Sequence, residues 1–243
     1  MRKIHVLTRK EDIDPSKLTH CTAVIIDILL ATTTIAATLY HGARELIPVM
    51  NQEEALELSV TLSDESYLLA GEKDGYPLAG FINPNPLELI KADLAGKTLI
   101  LCTTNGTVAI KKSMTAKRVY TSSFPNGAEV AKQIRKDNDD SSVVIVCAGS
   151  KGNFSIEDFL GAGYLISELV RNGQQGWSLS DSAQAAVQLY QHQSQQIEQS
   201  LWNSATGTLL KNLGYSEVFP FVAKQGLLPV VPNLINDSIV NSK

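Results

Sequence analysis

An α/β fold with a mostly parallel central sheet covered on both faces follows from three features of this chain. Strand-like apolar runs alternate with helix-patterned segments, which suggests crossover units covered on both faces. Four runs are almost wholly apolar, as buried parallel strands are. The 243 residues, 44% of them hydrophobic and 19% charged, suit one large α/β domain or two small ones. Each of the four runs ends in a short polar corner. Val24-Ile25-Ile26-Asp27 leads to Ala31-Thr32-Thr33-Thr34, and Thr98–Cys102 leads to Thr103-Thr104-Asn105-Gly106-Thr107. Arg118–Thr121 leads to Ser122-Ser123, and Val143–Cys147 leads to Ala148-Gly149-Ser150-Lys151-Gly152. In open α/β sheets, ligands bind outside the carboxyl ends of the strands. As parallel neighbours, these strands would bring their hydroxyls, amides and helix N–H groups to one edge, a site for a small oxyanion.

In order along the chain, strands are predicted near Lys3–Thr8, Ala23–Ile28, Glu45–Val49, Tyr67–Gly71, Thr98–Thr103, Arg118–Ser122 and Ser142–Ala148. Helices are predicted near Thr33–Tyr40, Gln52–Ser63, Pro86–Ala92, Thr107–Met114, Gly127–Arg135, Ile156–Arg171, Asp181–Gln193, Ile197–Trp202 and Ala205–Leu213. Gly173-Gln174-Gln175-Gly176 breaks the alternation, and the chain beyond it is polar and helical in pattern. Residues 174–226 are therefore read as a helical insertion or cap on a single domain, because about 50 residues make a poor core alone. Leu227–Pro232 reads as an edge strand, since proline cannot serve a central ladder.

Composition excludes several function classes. A net charge of -4 argues against a general nucleic-acid binder, and no basic run interleaved with aromatics is present. The first residues enter a strand-like segment and lack the apolar core of a signal peptide. No window approaches about 18 uninterrupted apolar residues, so no membrane span is expected. Cys21, Cys102 and Cys147 offer neither a disulfide framework nor a CxxC metal site. A cytoplasmic address is the expectation.

The corners carry the chemistry. Asp27 ends an apolar run, where a charge is costly unless paired or bound to a cation. Mg²⁺, a hard cation, suits a carboxylate; a salt-bridged or capping aspartate is the plainer alternative. Thr32, Thr33 and Thr34 exceed the single hydroxyl a helix cap needs, and the surplus suits a phosphate at a helix N-terminus. In Thr103–Thr107, Asn105-Gly106 supplies the tight turn and the threonines supply donors and a cap. Ser155 and Asp158 form a capping box, while Glu157 and Asp158 could instead serve a metal. Gly71-Glu72-Lys73 sets a carboxylate beside an ammonium, and in Asn83-Pro84-Asn85-Pro86 the last proline suits helix position N1. No GxGxxG follows the first strands, so a dinucleotide enzyme is poorly supported.

Taken in this order, the corners resemble the 2-phosphosulfolactate phosphatase family. Its pattern runs through Asp-x-x-Arg-Ala-Thr-Thr-Thr, a Gly-Glu motif, a Gly-Asn-Ser-Pro-like turn, Thr-Thr-Asn-Gly-Thr, a Gly-Ser-like corner followed by Asn, and Cys-Ala-Gly with a downstream Ser-x-Glu-Asp. Here these are Asp27 with Ala31–Thr34, Gly71-Glu72, Asn83–Pro86, Thr103–Thr107, Ser122-Ser123 with Asn126, and Cys147–Gly149 with Ser155–Asp158. The resemblance implies a three-layer α/β/α fold with a mixed, mostly parallel central sheet, and Mg²⁺-dependent hydrolysis of 2-phosphosulfolactate to sulfolactate and phosphate, a step towards coenzyme M in methanogens. It marks Asp27, Glu72 and Asp158 as metal or catalytic candidates, with Glu157 beside them. Water would be activated by one of these carboxylates, and Asp27 as nucleophile stays open.

Substrate contacts are expected from Thr32, Thr33, Thr34, Lys73, Asn85, Thr103, Thr104, Asn105, Gly106, Thr107, Ser122, Asn126, Gly149 and Lys151. The chain departs from the motif at Leu30, where the family has arginine; leucine cannot clamp an oxyanion bidentately. Lys73 stands where arginine is common. The substrate class is a small phosphorylated acid, with no nucleic-acid or membrane partner, and a homodimer is the default assembly. A second reading, from another class, is an anion-binding or regulatory relative without turnover.

Overall fold

The β2 strand (Thr22–Ile26) shows how the sequence builds the fold. Val24 and Ile26 join one apolar cluster, and Ala23 and Ile25 join another. Side chains alternate across a strand, so β2 is buried on both faces. The computed structural model describes residues 1–63, 66–137, 139–171, 173 and 176–242. Along these, β1 (Arg2–Leu7) and β2 lead to α1 (Ala31–Tyr40), β3 (Glu45–Val49), α2 (Gln52–Ser59), β4 (Tyr67–Lys73) and β5 (Tyr76–Pro77). Then come α3 (Pro86–Leu89), β6 (Thr98–Cys102), α4 (Gly106–Lys112), β7 (Arg118–Ser122), α5 (Gly127–Lys136), β8 (Val143–Cys147) and α6 (Ile156–Leu169). The chain closes with β9 (Trp177–Leu179), α7 (Asp181–Gln193), α8 (Ile197–Asn203), α9 (Ala205–Asn212), α10 (Phe219–Val222), β10 (Pro232–Ile235) and β11 (Ser238–Asn241).

The strands form one mixed, mostly parallel sheet in the order β5-β4-β6-β3-β11-β10-β7-β2-β8-β1-β9. Val130, Ala131 and Ile134 of α5, with Leu160, Leu165 and Ile166 of α6, cover one face. Ile35 and Leu39 of α1, with Ala109 and Ile110 of α4, cover the other. The predicted three layers are therefore present. No helix among the described residues is long and apolar enough to cross a membrane.

Two expectations change. The closing segment is no edge strand: only Pro232 of the expected stretch enters β10, at its first position, where a proline is tolerated. β10 and β11 form a hairpin in the middle of the sheet, antiparallel to β7 on one side and to β3 on the other. Asn236 and Asp237 both have positive φ, 47° and 70°, which a tight two-residue hairpin turn requires. Secondly, the corner-bearing strands are not all parallel neighbours. β2 lies between β7 and β8, with Ile26 level with Ser122 and Cys147. β6 instead pairs with β3 and β4, across the hairpin. Its corner still reaches β2: a Cβ on Gly106 would sit 2.4 Å from the Cβ of Ala31 and 2.7 Å from Oδ2 of Asp27. Registered pairing beside the hairpin is reduced to Asn233 with Tyr120 and Ile239 with Leu46.

Residues 174 and 175, the start of the expected cap, lie outside the described residues. The remainder is not wholly helical, because β9 extends the sheet beside β1. Its helices share the main core. Ala183, Ala186, Leu201, Leu210 and Phe219 belong to the same apolar cluster as Val24 and Ile145.

Candidate active site

Asp27 follows β2 directly and is 8% exposed. The first residue of α1, Ala31, donates its backbone N–H to the Asp27 carboxylate, where the positive end of the helix favours an anion. Burial, then the charges of Glu72 and Glu157, push the Asp27 pKa up to about 7. The Ala31 N–H and the Lys10 ammonium act in the opposite direction. A carboxyl balanced near neutrality is suited to general-base work.

The neighbouring acids have different local duties. Asp158 accepts the Ile28 N–H at 2.9 Å on Oδ1 and the Gly149 N–H at 3.0 Å on Oδ2. It thus ties the corners after β2 and β8 together. Burial, Asp27 and Glu157 push its pKa well up. Ser155 caps α6 as expected, accepting the Asp158 N–H at 3.3 Å. The box is only half formed, since the Asp158 carboxylate serves the two corners. Glu72 accepts the Thr104 N–H at 2.6 Å, the Thr104 hydroxyl at 3.0 Å and the Gly75 N–H at 2.6 Å. It therefore anchors the β6 corner to the end of β4. Glu157 is buried, and its charge raises both Asp27 and Asp158. Among the described residues, no three acidic, histidine or cysteine groups form a ready-made metal cage.

A cleft opens beside Asp27. Of the residues singled out in the sequence, Asp27, Glu72, Thr103, Thr104, Asn105 and Lys151 line it. Lys151 has a positive φ of 51°, and its ammonium lies 3.6 Å from Asp74. Thr103 accepts the Thr107 N–H at 3.1 Å, while the Thr107 hydroxyl donates to the Thr103 carbonyl at 3.0 Å. The Thr103 hydroxyl is 3.5 Å from its nearest protein acceptor, Oγ1 of Thr107, a weak contact. Its proton is thus available at the cleft.

Other expected contacts are committed elsewhere. Helix α1 starts at Ala31 behind Leu30, so no threonine caps it. The Thr32, Thr33 and Thr34 hydroxyls donate to the carbonyls of Asp27, Ile28 and Pro84 at 2.9, 3.0 and 2.6 Å. All three are fully buried. Each hydroxyl has one proton to give, so these residues shape the corner and hold it to the Pro84 turn instead of meeting a phosphate. Asn85 is likewise buried: its Oδ1 caps α3 through the Leu87 N–H at 2.9 Å, while its buried Nδ2 has no hydrogen-bond partner among the described residues. Ser122 is buried, and Asn126 closes its own turn by accepting from Ser123 and donating to the Thr121 carbonyl. Lys73 is exposed on the β4–β5 ladder, outside the cleft lining. Gly106 contributes by its lack of a side chain, Thr107 by bracing Thr103, and Gly149 by its N–H to Asp158.

The sequence reading missed one wall of the cleft. Thr206, Leu209 and Leu210 of α9, with Tyr215, line the same cleft as Asp27, Leu29 and Leu30. The long separation along the chain hides that proximity. It also missed Lys10, 7% exposed, whose ammonium donates to Asn105 Oδ1 at 2.7 Å. Its one sequence signal was its place just past the end of β1, a neighbour of β8. The cysteines are free, and burial pushes Cys102 up to about 11 and raises Cys147 as well. Neither is a thiolate near neutral pH.

A family model described as 2-phosphosulpholactate phosphatase matches residues 7–237. A "Probable 2-phosphosulfolactate phosphatase" from Clostridium beijerinckii is 38% identical over 231 residues, covering 95% of each chain. Similarly named proteins from Clostridium acetobutylicum and Thermotoga maritima are 36% and 37% identical. These cover 98% and 88% of this chain and 100% and 89% of their own lengths.

Proposed function

The chain belongs to the 2-phosphosulpholactate phosphatase family, and from that premise we propose that it hydrolyses the phosphomonoester of a small acid, with Mg²⁺, in the cytoplasm. The substrate we propose is 2-phosphosulfolactate, giving 3-sulfolactate and phosphate. One observation supports this above the others: Asp27 lines the cleft beside the α1 N-terminus, and burial, then the charges of Glu72 and Glu157, push its pKa up to about 7.

The residues fit a Mg²⁺ ion that keeps much of its water. Such ions are commonly bound through one or two carboxylates plus substrate phosphate, so a full protein cage is not required. Asp27 would hold it, with Glu72, which also lines the cleft, contributing whatever lone pairs its N–H partners leave free, while Asp158 lies outside that lining and braces the corners. When bound, Mg²⁺ would polarise the phosphoryl group and offset its charge.

The chain's own groups would do the rest. The Thr103 hydroxyl, the Asn105 amide and the Lys151 ammonium hold the phosphoryl oxygens. Thr104 is held in place by Glu72 and fixes the turn that presents them. Either Asp27 takes the proton from an attacking water, as a base with a near-neutral pKa can, or Asp27 itself attacks phosphorus. Leu209 and Leu210 shelter the reacting group from bulk water.

The test is phosphate release from 2-phosphosulfolactate and from other small phosphomonoesters, with Mg²⁺ and with EDTA. Release that disappears in EDTA supports the reading; no release from any of them, in folded protein, overturns it. The apolar wall at Leu30 favours a second reading, a relative that binds anions without turnover. Leu30→Arg separates the two. A latent enzyme gains turnover by about a hundredfold, the scale of one strong oxyanion contact. A binding protein gains affinity only.

A further inference from the structure

We infer that Lys10 is a positioning residue: its ammonium fixes the Asn105 carboxamide so that the NH₂ group faces the cleft beside Asp27. The inference rests on the phosphoryl site proposed above and adds a residue that no corner motif contains. Lys10 sits in the short turn after β1, where its backbone N–H donates to the Ala148 carbonyl at 3.2 Å. Its side chain is buried, with Nζ 2.7 Å from Asn105 Oδ1 and 3.0 Å from Glu11 Oε1. A buried ammonium needs such acceptors.

Chemistry then fixes which way the amide points. An ammonium has three donors and no acceptor, so only Oδ1 of Asn105 can face it. The Nδ2 group, with its two protons, is left for the opposite side, and Asn105 lines the cleft. The alternative is visible in the same helix. Asn105 is the N-cap of α4, and asparagine there usually accepts an N–H of its own helix. Here it makes no side-chain cap bond. Lys10 holds the oxygen that the helix would otherwise take. Without Lys10, the amide is free to turn to the α4 N–H groups, withdrawing its donors from the phosphoryl oxygens.

The experiment compares Lys10→Met, Lys10→Arg, Asn105→Ala and the Lys10→Met/Asn105→Ala double variant with wild type. Two signals are read: the dissociation constant for inorganic phosphate with Mg²⁺ present, and the ¹H–¹⁵N signals of the Asn105 side-chain amide. Lys10→Met should weaken phosphate binding about tenfold, the scale of one hydrogen bond involving a charged group. Asn105→Ala should weaken it as much, and the double variant no further. Lys10→Arg should stay within about threefold of wild type, since it keeps the charge and the donors. The amide signals should shift in Lys10→Met and stay close to wild type in Lys10→Arg. Full additivity in the double variant, or unchanged amide signals in Lys10→Met, would overturn the inference. If wild type binds no phosphate, the phosphatase reading fails, and the amide signals alone decide the role of Lys10.

Discussion

Replacing Asp27 with asparagine is expected to stabilise the metal-free protein at pH 8 while removing its turnover. Asp27 is buried with a pKa of about 7, pushed up by burial and by Glu72 and Glu157. An unfolded aspartate titrates near 3.9. Below about pH 4 the group is protonated in both states and contributes no difference. As pH rises from about 4 to about 7, the unfolded chain releases the proton and the folded chain keeps it. Stability therefore falls across that window and levels off above it. Asparagine can still accept the Ala31 N–H and never ionises. The gain should be near zero at pH 4 and about 4 kcal/mol at pH 8, several degrees in thermal midpoint for a chain of this size. Asp158, raised in the same sense, leaves part of the slope in the variant. Thermal melts of both proteins in EDTA from pH 4 to 8 measure this. A variant no more stable at pH 8 would mean that Asp27 is not held in an electrostatically unfavourable state.

Gly106→Ala should damage the same carboxylate from the other side. The added methyl would lie 2.4 Å from the Ala31 Cβ and 2.7 Å from Asp27 Oδ2. Neither neighbour is the end of a long flexible chain, so α1 and α4 must separate. Overpacking of this kind costs about 1–3 kcal/mol. Moving a reacting group by about 1 Å can cost about a hundredfold in rate. The expected result is a lowered denaturant midpoint together with a loss of turnover larger than the stability change explains. Unaltered kinetics would show that the approach of the β6 corner to Asp27 has no part in the reaction.

Much of this site could be read from the chain, for identifiable reasons. Asp27 stood out because a lone carboxylate ending a buried strand needs an explanation, and it proves to be the centre of the acidic cluster. Asn105 and Thr103 line the cleft, and their corner is legible in the sequence because it follows an apolar run. The three threonines after Asp27 misled because a hydroxyl can also donate to a nearby backbone carbonyl; sequence cannot say which acceptor it meets. The central hairpin was missed because Pro232 was read as an edge signal, while Asn236-Asp237 between Ile235 and Ser238 was the turn signature. Lys10 and α9 reach the site from places distant in sequence, Lys10 by its bond to Asn105 and Leu209 by lining the cleft with Asp27. Local pattern carries no record of those.

The order of the strands explains how one carboxylate comes to meet so many partners. β2 is flanked by β7 and β8 in register, so the corners after all three lie side by side. Asp158 binds the corner after β2 to the one after β8. Glu72 brings the end of β4 to the β6 corner. Asp27 is left where these two braces meet, near Lys10 and open to the cleft.

The most direct measurement is phosphate release from 2-phosphosulfolactate by wild-type and Asp27→Asn proteins side by side, with Mg²⁺ present and folding verified by circular dichroism. The account predicts turnover by the wild type and none by the variant, which remains folded. Turnover by the folded variant at the wild-type rate would contradict it, because the reaction would then have no need of Asp27.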